Sequence, residues 1–385
     1  MPKSASGLTQ ARRRPIVATL CDDRRVSLPA ALTDLMPSIA AKLDPGNPAG
    51  RLVITEALRY VIVLVDGLGW SNLYDPSSDA PVMKAMASQM LTVWLPSTTA
   101  ASLTSLTTGV APSVHGIVGF SFRTRPGFVM STMAWDDAQS APEDVQPVKT
   151  WFEKLPMPTT ALVPGVFVGS GMTKAYLRGA DLVVVPNERN FAARAGQAGE
   201  IPTQVTLVYE RSLDHIAHLA GWTSTRWRRG LSAVDSFIGA LQQVVPAGTC
   251  LLVTGDHGMV DVPRSHRAFI EDEPLLASGV DLIGGEARLR HIYTGDPVAV
   301  AARYQKWLGG RGVAMPKADA LRWFGEDAPG PAVSKRIGDV VVAMSQDWAL
   351  LTKTRPGETG LVGMHGSWTP LERTVPLLSF MKGES

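Results

Sequence analysis

Cysteine is scarce: only Cys21 and Cys250 occur in 385 residues. That excludes a disulfide-stapled scaffold and fits a reducing compartment. Long apolar runs are missing as well. None approaches the ~20 residues that cross a bilayer as a helix, so no membrane span is expected. Met1 to Leu20 holds no apolar core of signal-peptide length, which makes a cytoplasmic location the expectation. Charge of one sign is also lacking, with a formal net charge of +2, and this gives no case for a nucleic-acid polymer as partner. Arg12-Arg13-Arg14 reads as part of a solvated tail. Internal repeats and low-complexity tracts are absent, and nothing in the pattern fixes an oligomeric state.

What is present suits a packed globular protein: 45% hydrophobic and 19% charged residues. The length allows one large α/β domain or two ordinary ones. Residues 1–50 read as an N-terminal tail and a packing helix. Leu28, Leu32, Leu35, Ile39 and Leu43 recur at helical spacing over 26–43, where Pro37 is expected to kink or split the helix. Residues 51–385 read as the catalytic domain, with 262–340 a candidate cap or insert.

The chain is organised around Tyr60-Val-Ile-Val-Leu-Val65, followed by Asp66-Gly-Leu-Gly69. Such an unbroken, β-branched run predicts a strand buried on both faces, as in a parallel sheet. Ligands of open α/β sheets sit just beyond the carboxyl ends of such strands. The pattern recurs at Thr249-Cys-Leu-Leu-Val-Thr254, which runs into Gly255-Asp256-His257-Gly258. Further strands are expected at 91–95, 180–186, 203–208 and 337–344. Helices are expected at 81–90, 224–245 and 297–308, with Ser224 capping the second. Pro96-Ser-Thr-Thr99 marks a turn into a helix that ends at Gly109. Residues 120–144 show no period and read as loops over a site, and 360–376 reads as a loop carrying His365.

Metal-type ligands gather on separate segments. Asp214 and His218, four apart on a helix, share one face and can grip one ion. Asp256 and His257 converge on a turn, and His365 sits beside a glycine. Singly, an Asp at a strand end is often a cap and a helical Asp/His pair is usually a surface pair. Together, Asp66, Asp256 and His257 all follow apolar strand runs, and parallel strands deliver them to one sheet edge. Carboxylate oxygens and imidazoles suit zinc, with manganese or another divalent ion as alternatives.

These segments resemble the alkaline phosphatase superfamily, most closely its type I phosphodiesterase and nucleotide pyrophosphatase branch. Val-Asp66-Gly, Pro-Ser-Thr-Thr99, Thr-Gly109, Pro112, His115-Gly-Ile, Asp214-x-x-x-His218, Gly-Asp256-His257-Gly-Met and His365-Gly follow one another in that family's order across roughly residues 60–370. The resemblance implies a three-layer αβα sandwich with a mainly parallel central sheet. It also implies two divalent ions, one held by Asp214, His218 and His365, the other by Asp66, Asp256, His257 and the nucleophile. In the family that nucleophile lies ten residues before the Thr-Gly glycine, which falls on Thr99, with Thr98 and Ser97 as competitors. Coordination to a cation activates a threonine hydroxyl, and a helix N-terminus beneath it favours a phosphate. Two ions about 4 Å apart stabilise the attacking and leaving oxygens of an in-line displacement. The implied activity is hydrolysis of phosphodiester or pyrophosphate bonds in a small-molecule phosphate ester through a phosphoryl-threonine.

One departure stands out. The branch carries an asparagine shortly after His-Gly-Ile to contact the phosphate, whereas here the chain reads Val118-Gly-Phe120-Ser121. Backbone amides, Ser121 or Arg123 are the candidate substitutes. A phosphomonoesterase or phosphonate hydrolase on the same site is the alternative activity, and a non-catalytic metal-binding protein is the alternative of another class. Arg288 and Arg290 read as solvated arginines that could reach a phosphate, His266 and His291 as surface or cap residues, and His115 as structural. Trp135, Trp222 and Trp227 read as pocket or core residues.

Overall fold

The computed structural model describes residues 30–185, 187–188 and 190–383. The basic tail cluster and the start of the 26–43 helix lie outside them. Seventeen strands form among the described residues. The first eight are β1 (Arg59–Val65), β2 (Ala87–Thr92), β3 (Ser121–Arg125), β4 (Phe128–Ser131), β5 (Thr159–Pro164), β6 (Asp181–Val185), β7 (Val205–Glu210) and β8 (Thr249–Gly255). The remainder are β9 (Val260–Asp261), β10 (Arg267–Phe269), β11 (Leu282–Glu286), β12 (Leu289–Tyr293), β13 (Gly312–Pro316), β14 (Val340–Met344), β15 (Ala349–Leu351), β16 (Gly363–Met364) and β17 (Thr374–Met381).

The main sheet has seven strands in the order β2-β17-β8-β1-β7-β5-β6. The pairs from β8 to β6 are parallel, and only β17 runs against its neighbours. β1 lies at the centre because its side chains are apolar on both faces. Tyr60, Ile62 and Leu64 enter one core with Leu103 and Leu106 of the Thr99–Thr108 helix. Val61, Val63 and Val65 enter a second core with Trp227, Leu231 and Val234 of the Thr225–Val244 helix. Alternation along one strand thus builds the expected three-layer αβα sandwich. Register places Val65 opposite both Glu210 and Gly255, so the residues that follow all three strands emerge at one level.

A second, antiparallel sheet runs β11-β12-β14-β13. The Pro297–Leu308 helix covers one face through Val300, Tyr304 and Leu308. Leu289, Val341 and Ala343 on the other face join the first core of the main sheet.

Several boundaries differ from the sequence reading. Pro37 neither kinks nor splits its helix, because that helix begins at Leu35 and places Pro37 in the first turn, where no intrahelical N–H is needed. The helix expected over 81–90 stops at Ala85. β2 then starts at Ala87 rather than Leu91, recruited by antiparallel pairing with β17. Residues 120–144 contain the β3–β4 hairpin around Pro126-Gly127, where Gly127 takes φ +75°. The segment after His365 is a loop only to Thr369. Pro370–Arg373 is helical and β17 follows.

Candidate metal centre

Each predicted ligand is placed by a strand end, a helix face or a tight turn. Asp66 and Asp256 directly follow β1 and β8, and Asp214 and His218 lie on one face of the Ser212–Ala220 helix. β16 pairs with β9, which returns His365 to the turn that carries His257. Two groups of donors result: Asp66, Asp256 and His257 form one, and Asp214, His218 and His365 the other, each with its donor atoms within 4.8 Å of one another. The His257 and His365 rings stack at 3.6 Å between centroids and join the two groups.

The imidazoles are prepared as ligands. Nδ1 faces a backbone carbonyl in all three: Gly363 O at 2.8 Å for His218, Gly258 O at 3.1 Å for His257, and Ser97 O at 2.9 Å for His365. A carbonyl only accepts, so Nδ1 donates to the backbone and Nε2 is the ring atom left facing the cluster. There His218 Nε2 lies 3.2 Å from Asp214 Oδ1, and His257 Nε2 lies 3.4 Å from both Asp66 Oδ1 and Asp256 Oδ2. Asp214 Oδ1 and Asp256 Oδ2 are nevertheless buried without any hydrogen-bond partner. Buried carboxylate oxygens left unpaired beside converging imidazole nitrogens are what a divalent cation satisfies, so the residues fit a metal.

The electrostatics express the same crowding. Burial and the neighbouring Asp66 charge push Asp256 well above its ordinary value. Burial also raises Asp214 to about 6, although His218 opposes the rise. Burial works against ionised Asp66 too, but hydrogen bonding and charge from His257, with the Tyr209 hydroxyl, outweigh it and hold Asp66 low. Burial would lower His257, yet Asp256 and Asp66 raise it to about 10. Burial drives His365 far down, and the neighbouring His257 adds to the fall. Positive charge is demanded here, and the chain supplies only imidazoles.

The three candidate hydroxyls separate cleanly. Ser97 is buried and its Oγ donates to Ser367 O at 2.7 Å. Thr98 is buried at the N-cap of the following helix without a side-chain capping bond. Thr99, the first helical residue, is partly exposed, with Oγ1 3.1 Å from His257 Nε2 and 3.4 Å from Asp66 Oδ1.

A model of the type I phosphodiesterase / nucleotide pyrophosphatase family matches residues 60–368. The chain belongs to that family. It is therefore a hydrolase of the phosphodiesterase and nucleotide pyrophosphatase type, in a metal-dependent family. Murine ectonucleotide pyrophosphatase/phosphodiesterase 5 superposes with a TM-score of 0.64 at 19% identity, covering 84% of this chain and 89% of that one. The human counterpart gives a TM-score of 0.65 at 16% identity, covering 84% and 88%. An inactive threonine-to-alanine form of the murine protein, in complex with AMP, aligns at a TM-score of 0.64 and 18% identity over 84% and 89%. These likenesses establish the shared fold. No curated protein matches the chain.

The family's missing asparagine is not replaced by either side chain that the sequence offered. Ser121 Oγ is buried and donates to Gly285 O at 2.9 Å, while Arg123 reaches Lys335 O at 3.2 Å, away from the clusters. The Phe120 amide is also occupied, donating to Glu286 Oε2 at 2.9 Å. The other oxygen of Glu286 is buried without a partner, and burial raises this carboxyl to about 8.

Other residues settle into the structure. Arg288 and Arg290 are fully buried and paired with Glu372 and Glu358, which corrects the solvated reading. Trp227 is core, His115 bridges Ser105 and the Ile117 amide, and His291 is buried rather than on the surface. His215 is exposed and lines a separate cleft with Arg211 and Arg226. The sequence reading overlooked Tyr209, which falls just past the strand it expects over 203–208. Its hydroxyl donates to Asp66 Oδ2, an alternation signal visible only once β7 is known to lie beside β1.

Proposed function

We propose that this protein hydrolyses phosphodiester or pyrophosphate bonds of a small phosphate ester through a phosphoryl-threonine on Thr99. Two divalent ions, zinc first among the candidates, would be held by Asp66, Asp256, His257 and Thr99 and by Asp214, His218 and His365. The observation that carries the reading is the position of Thr99 Oγ1, the accessible hydroxyl of the three, beside His257 and Asp66. When bound, such ions supply Lewis acidity and neutralise phosphate charge. A nucleotide-type substrate is supported by the AMP complex of the murine relative.

The chain's own residues account for the rest. Thr99 opens a ten-residue helix whose preceding residue makes no side-chain cap, so first-turn N–H groups face the phosphate position. Thr99 Oγ1 forms a bond to phosphorus as the bond to the leaving oxygen breaks, and the hydroxyl proton passes to solvent. Water then cleaves the phosphoryl-threonine, which restores the hydroxyl and releases phosphate monoester. His218, His257 and His365 keep fixed orientations throughout because each Nδ1 is tied to the backbone.

The test is hydrolysis of an aryl nucleotide diester beside the matching aryl monoester, on zinc-reconstituted protein with Thr99→Ala as control. A diester preference that disappears in the variant is expected. A monoester preference would move the activity to phosphatase chemistry, and diester turnover that persists in Thr99→Ala would remove Thr99 from its role.

A further inference from the structure

Glu372 lies outside both donor groups, yet it touches the segments that carry them. Its carboxylate is fully buried against Arg288, in the turn between β11 and β12, as a bidentate pair with Nε–Oε1 at 2.7 Å and Nη2–Oε2 at 2.8 Å. Arg288 is itself fixed from behind, donating to Trp348 O at 2.6 Å and Gln346 O at 2.7 Å. Glu372 Oε1 also accepts the Ser367 N–H at 2.9 Å, two residues beyond His365. Its backbone carbonyl accepts the Gly258 N–H at 2.9 Å, one residue beyond His257. Ser367 O in turn accepts from Ser97 Oγ at 2.7 Å, and Ser97 N–H donates to Gly366 O at 3.1 Å. The His257 turn, the His365 loop and the loop leading to Thr99 thus converge on one side chain and its backbone.

Stability alone is a poor explanation for this pair. Two charges taken fully out of water lose most of their Coulomb gain to desolvation, and apolar residues of similar volume often serve stability as well or better. The pair does supply direction. A guanidinium fork fixes the carboxylate plane, leaving Oε1 aimed at one backbone amide. We propose that Glu372, locked by Arg288, is a positioning residue that sets the spacing between the two metal-binding groups and holds Thr99 in register with them. The proposal rests on the two-ion reading above.

The experiment uses full-length protein reconstituted with cobalt(II), comparing wild type with Glu372→Gln and Arg288→Lys. Readouts are ions bound per chain, affinity in chelator competition, the cobalt visible spectrum, kcat and KM. Amide hydrogen exchange is followed on the metal-free forms. Glu372→Gln keeps the shape but opposes an amide N–H to the guanidinium. It is expected to weaken one of two ions by about 10- to 100-fold, alter the cobalt spectrum and lower kcat by a similar factor with KM nearly unchanged. Exchange should rise locally over residues 96–99 and 363–368. Arg288→Lys retains the charge without the fork and should show the same signature, and it decides the matter if Glu372→Gln does not fold. Unchanged metal affinity, spectrum and local exchange in a folded variant would overturn the proposal. Wild-type protein that takes up no cobalt would instead overturn the two-ion reading on which it stands.

Discussion

The Tyr209 hydroxyl donates to Asp66 Oδ2 from the neighbouring parallel strand, inside the sheet edge where the first donor group forms. Burial and the Asp66 charge push the phenol well above its ordinary value, so it stays a donor across the physiological range. This bond fixes which Asp66 oxygen turns toward Thr99 and His257. Tyr209→Phe keeps the ring in the core and removes only the donor. We expect kcat to fall about tenfold and metal affinity to weaken similarly, with stability lowered by about 1–3 kcal/mol because Asp66 Oδ2 loses its buried donor; steady-state kinetics, metal titration and denaturation read these.

The hydroxyl series should discriminate sharply. Thr99→Ala should lose activity by a factor on the order of 10³ or more, and Thr99→Ser should recover much of it. Thr98→Ala, at an uncapped and buried position, should stay within roughly threefold of wild type, since a neutral change away from the reacting atoms leaves the transition state intact. Equal losses at 98 and 99 would show that helix position, not the hydroxyl, matters.

Gly258 tolerates no side chain. A Cβ there would meet Leu371 O at 1.9 Å, a backbone atom that cannot rotate away. Gly258→Ala should therefore cost about 3 kcal/mol or more and displace His257. Chemical denaturation and metal stoichiometry are the measurements, with a retained full metal complement the contrary result.

Acid should act through buried histidines remote from the metal groups. His291 accepts the Gly338 N–H at Nδ1, 3.1 Å away, and donates from Nε2 to Val118 O at 2.9 Å, a neutral tautomer with no room for a second proton. Burial depresses it from 6.5 to about 4. The unfolded chain binds the proton first, so this contribution is complete above pH 6.5 and is lost as pH falls toward 4, up to about 3 kcal/mol. His291→Gln should show a shallower fall in unfolding free energy between pH 7 and 4.5 than wild type.

Chelation should reach stability as well as turnover. A ligand that binds only the folded state at a hundredfold excess over its Kd adds about 2.7 kcal/mol. Melting temperature should drop in chelator and return with added zinc. No shift in either direction would argue against bound metal in the folded protein.

The strands that lead into the candidate ligands were legible because nothing interrupts their apolar runs. β1 and β8 could not have been placed anywhere but inside a sheet, and the carboxylates follow from counting one residue past them. Pairing partners were not legible. β2 is recruited by β17, and neither has a distinctive run of its own. The buried arginines misled for a similar reason: Arg288 and Arg290 read as solvent-facing until Glu372 and Glu358, far along the chain, are seen to meet them. Contacts between distant segments leave little trace in local composition. The candidate donors were picked out by their fixed order along the chain, and the structure brings them into two groups; Ser121 and Arg123 failed because their partners lie on β11 and near residue 335.

The second sheet lies, in chain order, between His257 and His365. A polypeptide leaves the ribosome amino end first. Asp66, Asp256 and His257 are all available once residue 257 has emerged, whereas Asp214 and His218 wait for the whole second sheet to be synthesised before His365 joins them. The residues of the two donor groups, neighbours in space, therefore become available at different moments of synthesis, and in the folded protein it is the pairing of β16 with β9 that brings His365 to the later one.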